Sequence, residues 1–244
     1  MKGMKKLLTL VLSLFMAFSL CMTVCAEGEI VVAKIGDVEY ETLQEALDAA
    51  NNGDTIVLQD NITVTNLIVN GKKNEDETYE KRTFVLDMNG KTITQNYSGF
   101  ATRKDFKQLL TVRNNVDLTI TGNGKFVGPA GADAAKYDGK VLIEVRGADA
   151  KLTIVNGTFT AGGEGDSGLY GLYSRNGATI VLGDKDNKTG PTIHSYYAAI
   201  GMNNTTSPSY ITVYGGTYEA DMPTNDEDPY YYLVLLSMLQ LLLI

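Results

Sequence analysis

Residues 110–128 read LTVRNNVDLTITGNGKFVG, and the same pattern returns three times further along the chain. It can be laid over residues 143–161 (IEVRGADAKLTIVNGTFTA), 172–190 (LYSRNGATIVLGDKDNKTG) and 200–220 (IGMNNTTSPSYITVYGGTYEA). The corner residues Arg113, Arg146, Arg175 and Asn203 are separated by 33, 29 and 28 residues. A second apolar strand follows each corner, around Leu118 and Ile120, Leu152 and Ile154, Thr179 and Val181, and Ile211 and Val213. In three copies a glycine then leads to an aromatic, as in Gly124-Lys125-Phe126, Gly157-Thr158-Phe159 and Gly216-Thr217-Tyr218. A less regular earlier copy, FVLDMNGKTITQ, starts at Phe84. Recurrence of this length, in short β-rich segments with glycine or asparagine at the corners, indicates a solenoid of stacked repeats. No helices lie between the strands, which excludes a βαβ sheet. A coil of roughly thirty residues with about three short strands fits an all-β, right-handed, single-stranded parallel β-helix.

A stack of this kind has an open apolar end that needs a cap. Residues 40–58, YETLQEALDAANNGDTIVL, supply one. Leu43, Ala46, Leu47 and Ala50 fall at i, i+3, i+4 and i+7, a single helical face. Thr42 with Glu45 has the form of a capping box, and Asn51-Asn52-Gly53 supplies a stop. The spacing predicts one short helix over 42–52 and no other, followed by the strand Thr55-Ile56-Val57-Leu58.

The segment TLQEALDAANNGDTIVLQDNITV resembles the N-terminal cap and first rung of bacterial pectin-lyase-like β-helix surface proteins. The LTIVNGTFTA and ITVYGGTYEA rungs resemble theirs as well. The resemblance implies the fold, but that superfamily holds lyases, hydrolases, phage tailspikes and non-catalytic surface modules, so it implies no single activity. Its polygalacturonase-like members work with closely placed aspartates. The adjacent Asp-Asp and the Gly-His signatures expected of that branch are absent here. Its calcium-assisted lyases set an arginine among aspartates, and no acid recurs in register beside the arginines; Glu144 lies near Arg146 on one rung only. No catalytic residue is carried over.

The ends of the chain read differently from its middle. Lys2, Lys5 and Lys6 precede an apolar run from Leu7 to Leu20, and Val24-Cys25-Ala26 offers small residues for cleavage. This is the form of a secretory signal peptide over 1–26, too short to favour a membrane span. Cleavage after Ala26 leaves 218 of the 244 residues and removes both cysteines, Cys21 and Cys25. The exported chain is then held without disulfides. Loss of three lysines takes the formal charge from −8 to −11, which argues against nucleic acid and anionic membranes as partners. The β-helix is expected over 27–229. The apolar tail at 230–244, within PYYYLVLLSMLQLLLI, reads as an incomplete further rung, with a tail anchor as the alternative.

Few side chains carry chemistry. His194 is the only histidine and reads as a strand or turn residue; with no cysteine after export, Cys-His catalysis and a His-rich zinc site are both disfavoured. Asp184-Lys185-Asp186-Asn187 is the densest acidic cluster, but it lacks the distal glutamate and central glycine of a calcium loop and reads as a polar insertion. No metal and no cofactor are expected. Two candidate binding features remain. Arg113, Arg146 and Arg175 each precede a turn residue (Asn114, Gly147, Asn176), so in register they would form a column able to grip carboxylates or sulfates. Tyr170, Tyr173, Tyr196 and Tyr197 are dense enough to offer a surface on which sugar rings could stack, or to stack on one another across rungs. The sequence therefore leads us to expect a secreted or cell-surface β-helix, adhesion-like and non-catalytic, with an acidic polysaccharide or a host or cell-wall glycan as partner. A polysaccharide lyase or glycoside hydrolase of this fold, and a structural spacer in a larger surface protein, are the alternatives.

Overall fold

The computed structural model describes residues 30–165, 167–203 and 207–221. Residues 1–26, read above as a signal peptide, and the apolar tail at 230–244, read as a further rung, lie outside these residues. The described chain begins with a hairpin, β1 (Ala33–Ile35) and β2 (Val38–Tyr40), and the helix α1 (Leu43–Ala49). Five complete coils follow. The first holds β3 (Thr55–Leu58), β4 (Ile62–Val64) and β5 (Leu67–Asn70), after which a small hairpin, β6 (Lys72–Lys73) and β7 (Tyr79–Glu80), projects. The second holds β8 (Arg82–Asp87), β9 (Thr92–Gln95) and β10 (Leu110–Arg113). The third holds β11 (Val116–Thr121), β12 (Lys125–Val127), a short helix α2 (Gly131–Ala135) and β13 (Lys140–Arg146). The fourth holds β14 (Lys151–Ile154), β15 (Thr158–Ala161) and β16 (Leu169–Arg175). The fifth holds β17 (Thr179–Leu182), β18 (Thr192–Ser195) and β19 (Ile200–Asn203), and β20 (Tyr210–Val213) and β21 (Thr217–Ala220) begin a sixth.

Each coil places one strand in each of three parallel sheets. The first sheet runs β3-β8-β11-β14-β17-β20, the second β4-β9-β12-β15-β18-β21 and the third β5-β10-β13-β16-β19. The parallel β-helix read from the repeats is thus observed. Alternation with period two sends every second side chain inward, and register aligns those side chains into columns. Phe84, Leu118, Leu152, Ile180 and Ile211 form one, and Ile56, Leu86, Ile120, Ile154, Leu182 and Val213 another. The glycine-aromatic signature places Phe126 over Phe159 with ring centroids 5.0 Å apart and nearly parallel. Outside the first sheet, β-branched residues make a matching ladder of Thr55, Val85, Thr119, Thr153, Val181 and Thr212, side chains suited to a half-buried pleated surface.

The cap is built as the sequence reading had it, with one change. Thr42 Oγ1 accepts from Glu45 N at 3.2 Å and Glu45 Oε2 accepts from Thr42 N at 3.1 Å, a complete capping box. Leu43, Ala46 and Leu47 are buried. The helix ends at Ala49 rather than near Asn52, because Ala50 turns to an extended conformation (ψ 134°) and Asp54 Oδ2 closes the following turn by accepting from Asn51 N. Two polar side chains tie the helix to the stack. The Gln44 amide pairs with both Ile68 N (3.0 Å) and Ile68 O (2.9 Å), taking the place of a further strand beside β5. The Arg82 guanidinium donates to the carbonyls of Leu47, Ala50 and Asn70, so carbonyls at the end of α1 and at the end of β5 share one buried cation. Burial lowers the pKa of Arg82 and the charge of Asp48 opposes that shift. The hairpin β1–β2 adds antiparallel to β3 and covers the start of the first sheet.

The expectation of a single helix is corrected by α2. It sits in an insertion between the second and third sheets, where GADAA need not keep the period of the coils. The loop 96–109 occupies the same position one coil earlier. Phe100, Phe106 and Tyr137 from these two insertions pack edge to face or tilted at 5.1 to 6.0 Å, and the Tyr137 hydroxyl donates to Phe100 O at 2.9 Å. No helix among the described residues is long and apolar enough to cross a membrane.

Two outcomes test the cap. Leu47→Asp places a carboxylate where the side chain is fully buried, and unfolding in urea should show a loss of about 3 kcal/mol or more. Arg82→Met keeps the bulk but removes the donors to three carbonyls, and the same measurement should show a loss of about 2–4 kcal/mol.

Candidate functional site

The outer face of the third sheet gathers the side chains singled out in the sequence. Ile68, Thr111, Glu144, Tyr173 and Gly201 occupy one column of neighbours, and Asn70, Arg113, Arg146, Arg175 and Asn203 another, two residues further along each strand. The three arginines are in register as the repeat spacing predicts. Their turn residues explain why they share a corner: Asn114, Gly147 and Asn176 all have left-handed backbone, at φ 56°, 100° and 55°. Asparagine and glycine tolerate that region where β-branched residues do not, so the chain leaves the sheet at the same place in each coil.

The guanidinium groups are nonetheless not equivalent. Arg113 Nε donates to Asn70 Oδ1 at 2.9 Å, which draws it toward the first coil. Arg175 Nε lies 3.0 Å from Glu144 Oε1, and its guanidinium carbon stands 4.9 Å from the centre of the Tyr173 ring. The Arg175–Glu144 contact is a close charge pair whose N–H is not aligned for a hydrogen bond. Arg146 has no hydrogen-bond or ion-pair partner among the described residues. Three guanidiniums and one paired carboxylate are thus gathered along this corner of a chain whose formal net charge is −8. Glu144, only 5% exposed, pairs diagonally with the arginine of the next coil rather than with Arg146 in its own strand.

The tyrosines form one continuous cluster beside this corner. Tyr170 stacks on Tyr197 at 5.2 Å and meets Tyr173 edge-on at 5.6 Å, while Tyr197 meets Tyr196 edge-on at 5.2 Å. Tyr196 is 2% exposed and its hydroxyl donates to Gly165 O, so it serves as packing and offers no surface. The Tyr197 hydroxyl donates to Asp138 Oδ1, which also accepts from Gly168 N at 3.2 Å. Tyr170, Tyr173 and Tyr197 are half-buried and keep part of their rings at the surface. Gly201 makes room for this arrangement: a Cβ there would come within 2.7 Å of two Tyr173 ring carbons. Neither Gly201 nor Asp138 was singled out in the sequence. Gly201 was open to discovery, since it is the one glycine in a column otherwise filled by Ile, Thr, Glu and Tyr. Asp138 lies in an insertion where no repeat guides the eye.

The remaining candidates lie elsewhere. His194 is on the second sheet, with Nε2 2.7 Å from Asp221 Oδ1. Asp184 organises its own loop, accepting from the backbone of Asp186 (2.7 Å) and Asn187 (3.0 Å) and from the Asn187 amide. Those contacts, led by the Asn187 backbone N–H, hold its pKa below the ordinary aspartate value. Among the described residues no three of His, Cys, Asp and Glu come together as a metal would require. The chain matches no family model, and neither curated proteins nor solved structures include one similar to it at a significant level.

Gly201→Ala should push the Tyr173 ring off its seat. We expect a loss of about 1–3 kcal/mol in thermal or urea unfolding, together with a changed tyrosine signal in near-ultraviolet circular dichroism.

Proposed function

We propose that this chain is a secreted, surface-displayed β-helix module of the pectin-lyase-like kind that binds an acidic glycan without cleaving it. The observation that carries the reading is the meeting, on one face, of a column of three arginines and partly exposed tyrosine rings. Tyrosine offers a sugar ring an apolar surface with a polar tip. A positive patch on an otherwise acidic protein concentrates anionic partners locally while the rest of the surface repels them. Rigid sheet strands hold these groups in fixed positions, as a recognition surface requires. The leader-like residues 1–26 support export, and the resemblance of the LTIVNGTFTA and ITVYGGTYEA rungs supports the bacterial surface-protein context.

Catalysis by a polysaccharide lyase or hydrolase is the rival. Glycosidases work through two carboxylates about 5 to 9.5 Å apart across the scissile bond. On this face Glu144 is buried and committed to Arg175, and Asp138 already accepts two hydrogen bonds.

A glycan-array screen, run beside assays for reducing ends and unsaturated products, separates these readings. We expect retention of acidic glycans that weakens with salt, and no product from polygalacturonate with or without calcium. Product above background would put the lyase or hydrolase first. Absence of any retention would favour a structural spacer.

A further inference from the structure

We propose that Arg146 is the anion-binding residue of this face, seating a single carboxylate or sulfate group of the bound sugar chain. The inference rests on the glycan-binding reading above and narrows it from a column of three arginines to one. In register, the three backbones stand about 4.8 Å apart, close enough for all three guanidiniums to serve one ligand if all were available. Two are committed. Arg113 is drawn to Asn70 Oδ1, which Asn114 Nδ2 also engages at 3.0 Å, so that acceptor is itself held in place. Arg175 is drawn to Glu144 and lies over Tyr173. Arg146 stands between them, half-buried, with no partner among the described residues and a like charge in the coil on either side. Glu144, the acid two residues before it, is already taken by Arg175.

The turn that follows Arg146 is uncrowded. A Cβ built on the following residue, Gly147, meets nothing within 4 Å. Tyr173 is one coil up and two residues back in register, about 8 Å away along the sheet by ordinary strand spacing and rise. A sugar ring resting against the tyrosines therefore brings an anionic substituent of its neighbour to the guanidinium. Carboxylate and sulfate present the same paired oxygens, and the planar guanidinium meets them with two parallel hydrogen bonds that an ammonium cannot reproduce.

Titration calorimetry of the full chain with three probes tests this: oligogalacturonate for carboxylate, a heparin-derived oligosaccharide for sulfate, and a neutral galactan oligosaccharide. The variants are R146Q, R146K and, as a control for net charge, K151Q on the first sheet, with the melting temperature of each taken first. We expect the parent to prefer an acidic probe, and the two acidic arms to tell which oxyanion is used. R146Q should weaken that binding by about tenfold or more, R146K should restore only part of it, and K151Q should bind as the parent does. Should R146Q melt early, R146K carries the comparison, since it keeps the charge and much of the stem. Acidic binding by the parent that survives R146Q, equal binding of the neutral probe, or full affinity in R146K each overturns the role of Arg146 while leaving glycan binding in place. No binding of any probe by the parent overturns both.

Discussion

In a parallel stack each coil passes its hydrogen bonds along the axis to the next, so the coil at the end has donors, acceptors and apolar side chains with nothing to meet them. The Arg82 guanidinium is where this chain resolves that problem. It belongs to the second coil, yet its donors reach carbonyls at the end of α1 and the carbonyl of Asn70 in the first. A buried cation is costly in isolation and worthwhile only when its hydrogen bonds are filled. Here backbone carbonyls fill them, and the same contacts satisfy a helix end that lies against the core. Gln44 does the corresponding work for the amide and carbonyl of Ile68. The apolar face of α1 can then press on the first coil without stranding polar groups beneath it.

The order imposed at this end propagates. Once the first coil is fixed, register in each later coil follows from the inward columns, since a slip of one residue would turn Leu118, Leu152 and Ile180 outward together. The same register sets the outer face. Arginines and tyrosines far apart in sequence become neighbours because the coils beneath them repeat, and the left-handed turns at Asn114, Gly147 and Asn176 return the chain to the same corner. The recognition surface we propose is thus a by-product of core packing: the interior aligns the coils, and the exterior inherits the alignment.

What could be read in advance follows from this. The solenoid and the arginine register were legible because corner residues, glycine-aromatic pairs and apolar strands recur at nearly constant spacing. The capping box at Thr42 and Glu45 was legible because its chemistry is local. The length of α1 was not, since its end is set by Arg82 and Asp54 rather than by Asn51-Asn52-Gly53. The hairpin β6–β7, the loop 96–109 and α2 were missed because insertions at corners leave the repeat on either side intact and carry no period of their own. For the arginines, spacing predicts where each backbone stands but not where each head group goes. That is decided by Asn70 and Glu144, one coil away from the arginines they hold. The tyrosine group was visible as a local density of rings, but the burial of Tyr196 depends on Gly165, thirty-one residues earlier.

The position of Arg82 also bears on the order of events during folding. Contacts within this stack join residues about one coil apart in sequence, so each added coil closes a loop of similar length and meets a similar entropic barrier. The first step differs, because the end of α1 lacks its cation until the chain has been made through β8. A segment ending at the first coil would carry a helix whose last carbonyls have no donor from Arg82. The segment through β8 is the shortest that satisfies its own capping contacts. In a chain synthesised from its N-terminus that segment is complete before any later coil, so each of them has a capped coil to stack on.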